Sequence, residues 1–277
     1  MEKITLKLVE RFRMHLENEE KASATVEKYI SDVLAFKKWS NGTKVTKQLL
    51  LEYKAFLKNS FAPASVNSIL SSLNSFFAFL GEFDLRIKLL KIQKHIFSGK
   101  ELTKPEYERL LCAAKKRENS RLYYLMQTIC STGIRVSELR YITVEALRER
   151  QATISCKGKL RVVILPDALC KMLNKYIKER KIKSGAIFVT KNGRPLDRSN
   201  ICHDMKKLCE SAHVPREKVF PHNLRHLFAR TYYSIQKDIV RLADILGHSS
   251  INTTRIYTVE SGDVHRKQIQ SLGLLIC

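Results

Sequence analysis

The stretch "LGHSSINTTRIYT", residues 246–258, sets Gly247, His248 and two serines ahead of a lone Tyr257 in a run too polar for a core. His248 and Tyr257 are nine residues apart. At about 100° per residue, one continuous helix would turn them to opposite faces. The residues between them remove the conflict. Helices commonly end on a left-handed glycine, which Gly247 supplies, and Ser249 or Ser250 can cap the next helix, folding His248 back toward the tyrosine. The plain alternative is a surface histidine in a turn and a half-buried tyrosine.

Two other polar clusters occur where packing gives little reason for them. In "CSTGIRVSELRYI", residues 130–142, a helix is expected to stop at Gly133 and a new one to start near Val136, leaving Arg135 at the turn. An arginine so placed projects a planar fork able to bind two phosphate oxygens; the alternative is a salt bridge to Glu138 or a solvated side chain. In "FPHNLRHLFARTYY", residues 220–233, a helix opens just after Pro221. His222 and Arg225, three apart, then share a face and can address one ligand, the imidazole handling a proton and the guanidinium neutralising an oxygen. His226 is assigned to packing or hydrogen bonding. Cys202, Cys209 and His213 could share a helix face and invite a metal reading, but the set is incomplete and lacks a recognised ligand spacing, so buried cysteines are expected.

Around these clusters the chain divides in two. Apolar residues recur at helical spacing from residue 4 to about 81, as in Leu6, Val9, Phe12 and Leu16, then Val26, Ile30, Val33, Leu34 and Phe36. Ser23 or Thr25 is the expected cap of the second helix; "VTKQLLLEYKAFL" gives a third, and "APASVNSILSSLNSFFAFLG" a fourth ending at Gly81. Residues 1–90 therefore read as a helical bundle, 91–102 as a linker, and 103–277 as a second domain that opens with a Thr103/Glu106 capping box around Pro105. There "ATISC" and "RVVILP" bracket "KGKL" as a β-hairpin, and "AIFVTKNGRPL" suggests one more strand and a turn. The expected fold class is mainly α with a small antiparallel β-sheet.

Charge points to the partner. The 277 residues carry 50 Lys and Arg against 27 Asp and Glu, a net +23, an excess that attracts a polyanion, nucleic acid first. Residues 1–99 hold 16 basic and 10 acidic side chains, and residues 100–277 hold 34 and 17, so both halves can grip it. No window approaches a membrane span, the N-terminus lacks signal-peptide features, and seven cysteines without a C-x-x-C pair fit a reducing compartment, so a cytoplasmic location is expected.

"TGIRVSEL", a lysine in a hairpin turn, "HNLRH" and "LGHSSINTTRIYT", in that order across about 125 residues, closely resemble the signature of the tyrosine recombinases, the phage-integrase family. The resemblance implies a helical DNA-core-binding domain joined to a mixed catalytic domain around a duplex. It implies Tyr257 as the nucleophile that forms a 3′-phosphotyrosine and releases a 5′-hydroxyl. It further implies Arg135 and Arg225 on the non-bridging oxygens, His222 assisting proton transfer, and His248 hydrogen-bonded to the scissile phosphate. The leaving oxygen would take its proton from Lys157, with Lys159 a candidate DNA contact, and Glu138 would orient Arg135.

No metal or other cofactor is expected. The implied partners are a double-stranded DNA site and three further copies of the chain, a tetramer on paired sites built from a monomer or weak dimer. The tail, about 262–277, ends in the apolar run Leu272–Ile276 and docks either on a neighbouring protomer or on its own domain. The length leaves no room for the arm-binding domain of many phage-type integrases, which suggests a simple Xer-like layout. The competing readings are a type IB topoisomerase-like DNA-relaxing enzyme and a DNA-binding regulator without catalysis.

Overall fold

The computed structural model describes residues 3–92, 101–118, 120–156, 159–190, 192–248, 250–257 and 270–271. The chain forms two compact units, residues 1–94 and 95–277. Most of the linker expected at 91–102, the hairpin lysine Lys157 and nearly all of the tail lie outside the described residues.

The first unit is built on α1 (Leu6–Asn18), α2 (Ser23–Trp39), α3 (Lys47–Ser60) and α4 (Pro63–Phe79). Thr5 and Thr46 cap α1 and α3 by accepting from the amides of Leu8 and Leu49. The expected cap of α2 is different: Ala22 occupies the position and makes no side-chain bond, with Ser23 already the first helical residue. Helix α2 is held by its buried stripe Val26, Ile30, Val33 and Phe36, whose packing contributes more than a cap does. Leu6 and Leu34, apolar at the same spacing, face outward at the margins of their stripes. Phe12 meets Phe76 edge-on at 5.2 Å, and Phe36 meets Tyr53 at 4.9 Å, in the middle of the bundle. Asn67 and Asn74, seven residues apart on α4, each clasp both backbone groups of one downstream residue, Leu90 and Ile87 respectively. Their side-chain amides stand in for a strand partner and bind the exit segment to the bundle.

The second unit opens with α5 (Lys104–Lys116), and its capping box forms as expected, with Glu106 also accepting from Lys218 at 2.8 Å. It continues through α6 (Ser120–Thr132), a 3-10 turn at Val136–Tyr141, α7 (Val144–Glu149), β1 (Gln151–Cys156) and β2 (Lys159–Ile164). There follow α8 (Asp167–Glu179), α9 (Arg198–Lys206), α10 (Cys209–Ala212), α11 (Pro221–Gln236), α12 (Ile239–Leu246), α13 (Ile251–Thr254) and a last 3-10 turn at Arg255–Tyr257. The two strands are antiparallel, with Thr153 opposite Val162 and Ser155 opposite Leu160. Ala152, Ile154 and Val163 face the core, while Leu160, Val162 and Ile164 are exposed.

The further strand expected in "AIFVTKNGRPL" does not form. Among the described residues that segment makes only isolated bridges, Thr143 with Ala186 and Val189 with Pro195. The reason lies in its distant neighbour: Thr143 caps α7 through the Ala146 amide, so the chain that would pair with the segment enters a helix after one bridge. Cys202 and Cys209 also fall on two separate helices, α9 and α10, and His213 ends the second in a left-handed conformation. They do not share one helix face. Among the described residues no helix is long and apolar enough to cross a membrane.

The single tryptophan, Trp39, sits 4.9 Å from Tyr53 and reports on the first unit. Leu70 in α4 is fully buried, so Leu70→Ala should cost about 2–5 kcal/mol, read as an earlier tryptophan-fluorescence transition in urea. An unchanged midpoint would mean that the bundle core does not depend on that contact.

Candidate active site

Three chain turns meet at one buried arginine. Pro221 starts α11 at its first position, where the missing amide costs nothing, and Arg225 follows one turn later, 1% exposed. Its Nη1 donates to the Gly133 carbonyl at 2.6 Å, and its Nη2 donates to the Leu246 carbonyl at 2.8 Å. These carbonyls lie at the ends of α6 and α12, where helix dipoles concentrate negative charge. Both ends use a left-handed glycine. A Cβ on Gly133 would collide with the Phe228 ring, and one on Gly247 would lie 2.5 Å from Arg161 Cδ. Burial first, then the nearby Arg135 charge, pushes Arg225 down to about 10, which leaves it protonated at neutral pH.

Arg135 stands at the turn after α6, as the sequence suggests, and is partly exposed. Its Nη1 donates to Glu138 Oε1 at 3.0 Å, and its backbone amide donates to Oε2 at 2.7 Å. Glu138 is 2% exposed and also accepts from Arg161 Nη2 at 2.6 Å. Burial works to raise the Glu138 pKa, but the Arg135 amide, the Arg161 charge and the Arg135 side chain together hold it below the ordinary carboxylate range.

The His248–Tyr257 question is resolved by the turn. Gly247 closes α12 at φ +63°, Ser250 caps α13 through the Asn252 amide, and the 3-10 turn brings Tyr257 back. The two rings lie 6.1 Å apart and 15° from parallel. Arg225 Nη2 is 2.9 Å from His248 Nε2, so that nitrogen must accept, and Nδ1, 2.9 Å from Thr254 Oγ1, carries the proton. This is a neutral imidazole. Burial and the Arg225 and Arg135 charges hold it at about 4.

His222 lies at the open edge of α11, where the surrounding protein and then Arg225, Arg198 and Arg135 lower its pKa. His226, expected to pack or to hydrogen-bond, packs within the same cluster. Its ring is 4.4 Å from His222 and meets Tyr257 edge-on at 5.0 Å, and its buried Nε2 has no partner among the described residues. Burial, His222 and Arg225 bring it to about 4. Tyr257 itself is 4% exposed; burial raises its phenol, while the charge and hydrogen bond of Arg225, and then Arg135, pull the other way.

Arg135, His222 and Arg225 line a cleft of about 490 Å³ together with Arg198, the first residue of α9. Sequence reading missed Arg198, Thr254 and Arg161. Arg161 had a legible signal: in β2 it occupies the inward phase between exposed Leu160 and Val162, where a charge needs a partner. Lys157 lies outside the described residues, and Lys159 opens β2.

A phage integrase family model matches residues 100–262, and a model of the phage integrase N-terminal SAM-like domain matches residues 9–82. The chain belongs to the phage integrase family, the tyrosine recombinases. This recombinase is 30% identical over 280 residues to tyrosine recombinase XerA of Thermococcus kodakarensis, covering 97% of this chain and 96% of that one. Its fold is similar to a XerH site-specific recombinase bound to palindromic difH substrate in a post-cleavage complex, with TM-score 0.70 and 19% identity, covering 95% and 94% of the two chains. It is also similar to a lambda integrase tetramer bound to a Holliday junction, with TM-score 0.75 and 18% identity, covering 92% of this chain and 77% of that one. Tyrosine recombinases break and rejoin DNA at specific sites through a tyrosine nucleophile, and that is the activity of this enzyme.

The depressed histidines give a pH signature. Folded His226 and His248 titrate at about 4, against about 6.5 when unfolded, so between those values the unfolded chain binds more protons and stability rises with pH. The thermal midpoint should fall as pH drops from about 6.5 to 5, above the main carboxylate range, and His226→Phe should flatten that slope. A midpoint indifferent to pH across the window would mean these rings are not neutral in the fold.

Proposed function

We propose that Tyr257 is the nucleophile of the recombinase and that Arg135, Arg225, His222, His248 and Lys157 serve the same phosphate. One observation carries this reading: a single buried guanidinium, Arg225, contacts the ends of two helices and His248, beside Tyr257. In the forward step the Tyr257 oxygen bonds to phosphorus, the bond to the 5′-oxygen breaks, and a 3′-phosphotyrosine remains. The phenolic proton passes to His222, and the leaving oxygen takes a proton from Lys157. Rejoining runs the same steps backward, so the ester energy is conserved.

The electrostatics support these roles. A phenol with an ordinary pKa near 10, raised further by burial, needs a base and an electropositive pocket to react at neutral pH. Arg225 and Arg135 provide the latter, and they stabilise charge on the non-bridging oxygens of the pentacoordinate state. His248 stays neutral, with its Nε2 lone pair directed at Arg225, so it steadies that guanidinium beneath the phosphate. Glu138 orients Arg135.

The partner is a duplex recombination site, gripped by residues 1–90 as the core-binding domain and by the catalytic domain, residues 103–277. The chain works as a tetramer on paired sites in the cytoplasm. The basic excess in both halves supports the DNA assignment, and the junction-bound lambda integrase tetramer supports the assembly. Integration, excision, inversion and dimer resolution all use this chemistry.

Wild-type protein incubated with genomic fragments should yield covalent complexes whose DNA can be sequenced and rebuilt as a nicked suicide duplex. On that duplex Tyr257→Phe should form no covalent complex yet bind within about threefold of wild type, because one hydroxyl adds little to a phosphate-dominated interface. Continued covalent capture by Tyr257→Phe would point to another nucleophile. Binding should also weaken steeply with salt, with a log–log slope of about −0.9 for each phosphate neutralised; a flat response would remove the charge-based grip.

A further inference from the structure

The hairpin carries an arginine to which the proposed chemistry gives no task. Arg161 lies in β2, two residues after the strand begins at Lys159, and its side chain runs inward, 15% exposed. It makes three contacts with segments far apart in sequence. Nη2 donates to Glu138 Oε2 at 2.6 Å, Nη1 donates to the Ile245 carbonyl near the end of α12, and the aliphatic stem covers Gly247. Glu138 in turn holds both the backbone and the guanidinium of Arg135.

We propose that Arg161 is a positioning residue that ties the β-hairpin, the Arg135–Glu138 pair and the turn carrying His248 into one rigid unit. This rests on the reading of that pocket as the cleavage site. Only a planar fork fits the task, because two nitrogens set at a fixed angle must reach a carboxylate and a carbonyl at once. A lysine could satisfy either acceptor but not both. Gly247 fits the same account: its bare α-carbon leaves the stem room to pass, which a side chain would block.

The consequence reaches both sides of the phosphate. Lys157, the candidate acid, stands only four residues from Arg161 in the sequence, so the strand that follows it is anchored to the groups that hold the non-bridging oxygens. Loss of the anchor frees Arg135 from half of the support of its carboxylate and loosens the His248 turn, without removing any group that touches DNA phosphate.

Arg161 also sets charge. Glu138 faces Arg135 from its own turn, Arg161 from β2 and the charge of Arg225 from α11. His248 faces Arg225, Arg135, Arg161 and His222. Arg161 lowers both pKa values, so its removal lets both groups take up a proton at higher pH. A protonated Glu138 releases Arg135, and a protonated His248 can no longer accept from Arg225. Either event slows cleavage, so the loss of rate that these two groups set, which for His248 lies at about 4 in wild type, moves to higher pH.

The test uses full-length protein and the nicked duplex rebuilt from wild-type covalent complexes, with single-turnover cleavage at saturating DNA followed from about pH 4 to 8. Arg161→Ala should cleave about 10- to 100-fold more slowly, the scale of a small misplacement of reacting groups, with affinity within about threefold and its acid limb at higher pH. Arg161→Lys keeps the cation, so its acid limb should stay near that of wild type while its rate remains about tenfold low. If Arg161→Ala does not fold, Arg161→Lys carries the test alone. Cleavage within about twofold of wild type by either folded variant, or a slowed rate in Arg161→Ala with an unmoved acid limb, overturns the proposal. A wild type that forms no covalent complex would instead remove the reading of the site.

Discussion

A buried guanidinium held by helix ends is the constraint on which the second unit depends. Arg225 is 1% exposed, and among the described residues it donates to two main-chain carbonyls and an imidazole, none of them a carboxylate, with the Tyr257 phenol beside it. Withdrawing a cation from water costs several kcal/mol even after relaxation. Here charge-assisted bonds to two helix ends offset part of that cost and bring α6, α11 and α12 together. With neutral groups as its direct partners, the charge stays available to an arriving phosphate.

Around that charge the network divides its work by protonation state. Glu138 is kept anionic so that Arg135 and Arg161 have a common acceptor, and the three imidazoles are kept below their ordinary pKa so that the cleft does not fill with further positive charge. The neutral form of His248 is what lets it accept from Arg225 while donating to Thr254. The two glycines serve the same arrangement, since each lets a chain turn approach a neighbour more closely than a side chain would allow. Dispersed sequence motifs thus become one electrostatic unit, and the family resemblance noted from them has a physical counterpart in the fold.

What the sequence determined by itself were features decided within a turn or two of chain. The Thr103–Glu106 capping box, the helix opening at Pro221, the turn at Arg135 and the reversal at Gly247–Ser250 all form as read, because their interactions span at most a few residues. The same local logic failed where a distant surface overrode it. Helix α2 starts without the expected cap because its buried stripe holds it, and the strand sought near Ile187 is reduced to bridges because its neighbour enters α7. Tertiary structure alone decided that Arg225 meets Gly133 across 92 residues, that Arg161 meets Ile245 across 84, and that His226 lies against Tyr257. The physical reason is that a buried charge or ring takes its partner from whatever packing brings within a few ångströms, and spacing along the chain does not encode that distance.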